Sequence, residues 1–269
     1  MNDPKSDPDE APIAVVSAMH EELRALLPEL DTDRRTVCAG REFHHGRLHG
    51  QPVVLVLSGI GKVAAATTVA VLASEFRPRS LLFTGVAGGL ANGVRVGDVV
   101  LARELLQHDM DASPLFPRYE VPLTGRSRFP AAGALSDRLA GVARACLADA
   151  PQALGAAHMA AFGIDAPRLH QGLVISGDRF VATAAESDAL RLALPDALAV
   201  EMEGAAVAQV CADFALPFAL IRVISDRADD TAHHDFLRFT REVASVLTRL
   251  IVGAALSGTV THGAPTDGR

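Results

Sequence analysis

Seven short, nearly unbroken apolar runs constrain this chain most: IAVVS, PVVLVLS, SLLFTG, GDVVLA, GLVIS, ALAVEM and PFALIRVIS. Each is rich in β-branched residues and about as long as a strand. Continuous apolarity, in place of alternation, marks strands covered on both faces, as in an α/β sheet. Segments with helical spacing separate many of them. EELRALLPEL puts Leu23, Leu26, Leu27 and Leu30 on one stripe, and LSDRLAGVARACLADA repeats Leu135, Leu139, Val142 and Cys146. GKVAAATTVAVLASEF ends before Pro78, and GAAVAQVCADF ends before Pro217. A last helix over about 235–256 aligns Phe236, Phe239, Val243, Val246, Leu247 and Leu250. REFHHGRLHGQPVVLV reads as a hairpin turning near His49-Gly50, so the sheet is expected to be mixed. The expectation is an α/β fold, a single domain with a twisted mixed β-sheet flanked by helices.

With 269 residues, 49% of them hydrophobic, the chain can bury a sizeable core. No internal repeat or linker divides it. The expected layout is a flexible leader over 1–11, one domain over 12–257 and a flexible tail over 258–269. A net charge of −7 argues against a nucleic-acid surface, which needs a basic face. Cys38, Cys146 and Cys211 lie far apart with no CxxC pair, which favours free thiols in a reducing compartment. The start, MNDPKSDPDEAP, lacks the basic-then-apolar order of a secretory signal. The apolar runs fall short of the roughly 20 residues a membrane helix needs. A soluble cytoplasmic protein with no membrane partner is expected. The stretch 109–171 reads least clearly, and a binding loop, disorder and a surface insertion all remain open for it.

The unusual residues cluster at strand ends. Met19 to Glu22 follow IAVVS, Ser58 to Gly61 follow PVVLVL, and Thr84 to Gly89 follow SLLF. Ser176 to Phe180, Glu201 to Glu203, and Ser225 with Asp226 end three more runs. If enough of these strands are parallel, the residues gather along the edge where α/β sheets bind ligands. SGIGK lacks the full phosphate loop and TGVAGG is not GxGxxG, so tight strand-to-helix turns explain either motif alone. Glu203 sits where an apolar strand meets an apolar helix, where a charge is costly unless paired or used. Arg222 and Asp226 raise the same question, and an Arg–carboxylate network tying two strands together is the structural alternative. Glu21 and Glu22 open a helix, which acids favour on dipole grounds alone. The ten histidines show no metal-binding spacing, so no metal site is expected.

Together, AMHEE, SGIGKVAAA, TGVAGGL, VGDVV, ISGDRF, VEMEGAAVAQVC and RVISD resemble the 5′-methylthioadenosine/S-adenosylhomocysteine nucleosidases of the purine nucleoside phosphorylase superfamily. The resemblance covers roughly 13–108 and 171–250. It implies a nucleoside phosphorylase-like domain, commonly a homodimer, that takes a small-molecule nucleoside and needs no cofactor. Carried over, Glu22 would hold and activate the attacking water, and Glu203 would bind the ribose hydroxyls with Met202 packed beneath the sugar. Asp226 would act on the purine N7, with Ser225 helping to place it. Phe180 would stack on adenine, and the backbone at Val181 would read the base edge. Met19, Ile60 and Phe236 would line the ribose and 5′-thioether pocket, and Arg222 would support Glu203.

This assignment is chemically coherent. Cleavage leaves positive charge on the ribose and electron density on the base, so an acid at N7 improves the leaving group. A carboxylate beside the sugar stabilises an oxocarbenium-like transition state and orients water. Phosphorylases of the superfamily hold phosphate with arginine in the first loop and near the glycine motif. Here the first loop, Ser17 to Glu22, is acidic, and Leu81 to Phe83 carry no arginine. Water is therefore the expected nucleophile. Val86 replaces a serine often found in this motif, and His20 replaces another acid. Three alternatives stay in view: a phosphate-dependent phosphorylase, a hydrolase of aminodeoxyfutalosine, and a nucleoside-binding protein without turnover.

Overall fold

The computed structural model describes residues 11–228 and 236–258. Apart from Ala11 and Gly258, the expected leader and tail lie outside the described residues. The chain runs β1 (Ile13–Ser17), α1 (His20–Leu26), β2 (Asp31–Cys38), β3 (Arg41–Leu48) and β4 (Gln51–Leu57). It continues through α2 (Lys62–Val71), β5 (Ser80–Gly89), β6 (Val99–Gln107), β7 (Arg128–Pro130) and α3 (Gly133–Ala148). Next come α4 (Ala150–Leu154), α5 (Ala156–Ala161), β8 (Leu169–Ser176), α6 (Ala184–Ala193) and β9 (Ala197–Glu201). It closes with α7 (Gly204–Asp213), β10 (Phe218–Asp226), α8 (Phe236–Phe239) and α9 (Ser245–Ser257).

All ten strands belong to one mixed sheet. β4, β1, β5 and β10 are parallel neighbours in that order. β6, β8 and β9 run the other way, and the sheet curls until β9 meets β5 again. Five strands, β5, β10, β6, β8 and β9, thus close into a barrel from which β1, β4, β3 and β2 extend. Every residue of β10 is buried, as its unbroken apolar run requires. One core cluster packs α1, α3 and α9 against the sheet, and a second packs α2 and α7.

The hairpin forms as expected. His49 and Gly50 adopt positive φ between β3 and β4, the turn geometry that matches strand twist. Pro28 shortens the first helix, and residues 27–29 tighten into a 3₁₀ turn. Positions 72–76 and 240–244 are wide π turns, the second joining α8 to α9. The stretch 109–171 is folded, not irregular. It supplies β7, α3, α4 and α5, and Leu139, Ala143 and Leu147 enter the core. No described helix is long and apolar enough to cross a membrane.

Candidate active site

The strand ends converge, but not by the route expected from parallel strands alone. The carboxyl ends of β1, β4, β5 and β10 share one edge. β9 arrives from the opposite direction and overlaps β5 only at Gly88–Val200 and Gly89–Ala199, so the two strands meet tip to tip. That brings Glu201 to Glu203 beside the glycine motif and leaves a cleft between them. The cleft is bordered by Met19, Glu22, Ile60, Phe180, Val181, Met202, Glu203, Arg222, Ser225, Asp226 and Phe236. Every residue to which the resemblance gave a role is therefore in one place. No residue of 109–171 lines this cleft.

Four carboxylates of the described residues line this space, Glu201 included, and each is held differently. Glu22, in the first turn of α1, is fully buried. Its Oε2 accepts a 3.3 Å bond from the Met19 amide, and its Oε1 has no partner among the described residues. Burial pushes its pKa up to about 7, against the opposing pull of the Arg222 charge. Glu203 accepts a 2.8 Å bond from the Gly61 amide. Its pKa is also raised to about 7, first by burial and then by the neighbouring Glu201 charge. Gly61 has φ +96°, a conformation that suits glycine and turns its N–H toward Glu203. Asp226 is oriented by two donors: the Ser225 hydroxyl at 2.7 Å from Oδ2 and the Ala228 amide at 2.7 Å from Oδ1.

Arg222 corrects one expectation. Its guanidinium bonds Glu201, not Glu203, with Nη2 2.7 Å from Oε2, and it lies 4.2 Å over the Phe83 ring. Glu201 also accepts from the Ser176 hydroxyl and from the backbone amides of Glu203 and Gly204. It thus caps the start of α7 in the role a local side chain usually fills. Glu203, at the cap position itself, is left to face the cleft. Arg222 reaches Glu203 only through its charge. The Arg–carboxylate network considered from the sequence therefore exists, and it is built on Glu201.

The glycine motif is also read differently in three dimensions. TGVAGG is the end of β5 and not a turn. A Cβ at Gly88 would lie 3.0 Å from Asp226 Oδ1 and 2.9 Å from the Ala228 Cβ, so glycine makes room for the carboxylate. Phe180 and Phe236 meet edge to face, 5.9 Å between ring centres, and form the apolar wall.

The sequence pattern of the phosphorylase superfamily matches residues 12–257. Curated 5′-methylthioadenosine/S-adenosylhomocysteine nucleosidases of Lysinibacillus sphaericus and Chromohalobacter salexigens are 39% and 37% identical to this chain. The matches cover 91% and 87% of it, and 99% and 92% of those proteins. The chain belongs to the methylthioadenosine/S-adenosylhomocysteine nucleosidase family. A crystal structure of the Neisseria meningitidis nucleosidase, in complex with methylthio-immucillin-A, matches at TM-score 0.80 and 33% identity. That match covers 92% of this chain and 99% of the other. The nucleosidase of Colwellia psychrerythraea, in complex with adenine, matches at TM-score 0.79 and 32% identity, covering 92% and 95%.

In this member of the nucleosidase family, Val86 lines the cleft, so the missing serine hydroxyl is lost from the site itself. His20 is exposed and is not part of the lining. Sequence reasoning passed over Glu201 as a supporting residue and Arg179 at the cleft wall. The first carried a signal: two acids around Met202 at the end of a buried strand cannot both be left unpaired. Arg179, paired with Glu186 on α6, carried none.

Proposed function

We propose that this chain hydrolyses the N-glycosidic bond of 5′-substituted adenosines, methylthioadenosine and S-adenosylhomocysteine, to adenine and a 5′-substituted ribose. The observation that carries this reading is Glu22, buried with one carboxylate oxygen unpartnered, bordering the same cleft as Glu203 and Asp226. An unpaired oxygen at that burial is costly, and a water held there for attack on the sugar would repay it.

In the proposed mechanism, the base packs against Phe180, with the Val181 backbone at its edge. Glu203 binds the ribose hydroxyls above Met202, and its charge stabilises the oxocarbenium-like sugar. Asp226, fixed by Ser225 and Ala228, shares a proton with N7 so that adenine leaves as a neutral base. Glu22 takes a proton from water as the oxygen bonds the anomeric carbon. Met19, Ile60 and Phe236 form the apolar side toward the ribose and 5′ group.

Among the described residues, the arginines of the cleft are already engaged. Arg222 is bound to Glu201 and Arg179 to Glu186, which supports water over phosphate as nucleophile. The family resemblance also supports a homodimer, which sedimentation would check. Cys38, Cys146 and Cys211 are free thiols, in keeping with a reducing cytoplasmic setting. The test is a panel of 5′-substituted adenosines, aminodeoxyfutalosine included, assayed for adenine release with and without phosphate. Release from methylthioadenosine and S-adenosylhomocysteine in phosphate-free buffer is expected. Strict phosphate dependence would make the enzyme a phosphorylase, and binding without release would make it a sensor.

A further inference from the structure

Lys62 stands outside the cleft, yet its contacts run to the segments that carry Glu203 and Phe180, two of the groups that border the cleft. Its Nζ lies 2.6 Å from Asp109 Oδ1 and 3.1 Å from Gln107 Oε1, both at the end of β6. Gln107 in turn donates at 2.8 Å to Gln209 on α7, the helix whose cap position is Glu203. The Lys62 amide donates at 2.7 Å to Asp178 Oδ1, and the Asp178 amide donates at 2.9 Å to Asp109 Oδ2. Asp178 precedes Phe180 by two residues. Gly61, one residue before Lys62, holds Glu203 through its own amide.

The contacts close a ring. From Glu203 it passes through Gly61 and Lys62 to Gln107, Gln209 and α7, and so back to Glu203. A branch through Asp109 and Asp178 fixes the Phe180 segment. Asp178 also supplies the start of α2 with the acceptor it lacks, because Gly61 has no side chain to cap it. Burial works against the charged Asp109 carboxylate, but hydrogen bonds from the Lys62 ammonium and the Asp178 amide, with the Lys62 charge behind them, hold its pKa below the usual value.

We infer that Lys62 is a positioning residue, which with Asp109 and Asp178 sets the distance between the ribose-holding Glu203 and the base-stacking Phe180–Val181 segment. The inference rests on the nucleosidase reading for what occupies the cleft. The Lys62–Asp109 pair is partly buried, with the two side chains 16% and 33% exposed. Its effect here is on geometry, where small misplacements cost rate out of proportion to stability.

The experiment compares Lys62→Met and Lys62→Arg with the full-length wild type. Steady-state kinetics on methylthioadenosine, adenine affinity by calorimetry and melting temperature are read together. Lys62→Met is expected to raise KM and weaken adenine binding about tenfold, with a smaller change in kcat and little change in melting. Lys62→Arg, whose guanidinium can still reach Asp109 and Gln107, is expected to recover most of the loss. KM and adenine affinity within about twofold of wild type in Lys62→Met would overturn the inference. So would an equal loss in both variants that only follows a lower melting temperature. If the wild type binds adenine but releases none from methylthioadenosine, the nucleosidase reading fails, and the adenine measurement still decides the role of Lys62.

Discussion

Glu201 and Glu22 are both buried carboxylates within reach of the Arg222 charge, and the fold treats them in opposite ways. Glu201 bonds Arg222, a serine hydroxyl and two backbone amides, so both of its oxygens are satisfied. Among the described residues, Glu22 Oε2 accepts a long bond from the Met19 amide and Oε1 has no partner. The first arrangement locks β8, β9, β10 and α7 together. The second keeps an acid poised near neutrality, at a cost to stability. Burial alone therefore does not separate the two acids; the number of donors around each does.

The sharpest way to break this contrast is to neutralise acids that border the cleft. Glu22→Gln and Asp226→Asn should each lower kcat about 10²- to 10⁴-fold, as loss of a general base or acid does. Glu22→Gln should still bind nucleoside, and equal loss of binding and turnover would make Glu22 a structural residue. Because Glu22 must be ionised to accept a proton, wild-type kcat/KM should fall as pH drops below about 7. A flat profile down to pH 5 would remove Glu22 as the base.

The converse substitution attacks the locked pair. Arg222→Met leaves Glu201 buried without its counter-charge, which should cost about 3–5 kcal/mol and lower Tm by roughly 10 °C. An unchanged Tm would show that the hydroxyl and amide donors suffice for Glu201.

A smaller effect has the opposite sign. The folded protein keeps the Glu22 proton up to about pH 7, while an unfolded chain releases it near 4.5. The fold thus binds more protons across that interval, and stability is lost as pH rises through it. Glu22→Gln should therefore be more stable than wild type at pH 8, by about 2 kcal/mol, and little different at pH 5. Calorimetry at the two pH values checks this, and equal shifts at both would contradict it. Smallest of all, Phe236→Ala removes one ring of the aromatic wall and should raise KM about fivefold, near 1 kcal/mol, with kcat close to wild type.

Much of this was legible from the sequence because strands buried on both faces announce themselves. β1, β4, β5, β8, β9 and β10 stand out as apolar runs, and the site residues follow from where those runs end. β2 did not stand out, because it is an exposed edge strand, DTDRRTVC, with no apolar pattern to read. α6 was passed over although Thr183 and Glu186 carry a capping signature, and Thr183 does accept from the Glu186 amide. Barrel closure was not legible either, since pairing β5 with both β9 and β10 is a long-range choice that local pattern does not encode. That closure also decides which glutamate Arg222 meets: Glu201 ends β9 and Glu203, two residues on, is the cap position of α7, and only the tertiary geometry puts the guanidinium on Glu201.

The most direct test follows the oxygen. Methylthioadenosine is turned over in phosphate-free buffer made with heavy-oxygen water, and the sugar product is weighed by mass spectrometry. Adenine release with the label in the C1 hydroxyl of methylthioribose is the expected result, unchanged when phosphate is added. No release until phosphate is supplied, with a sugar 1-phosphate as product, would contradict the hydrolytic role given to Glu22.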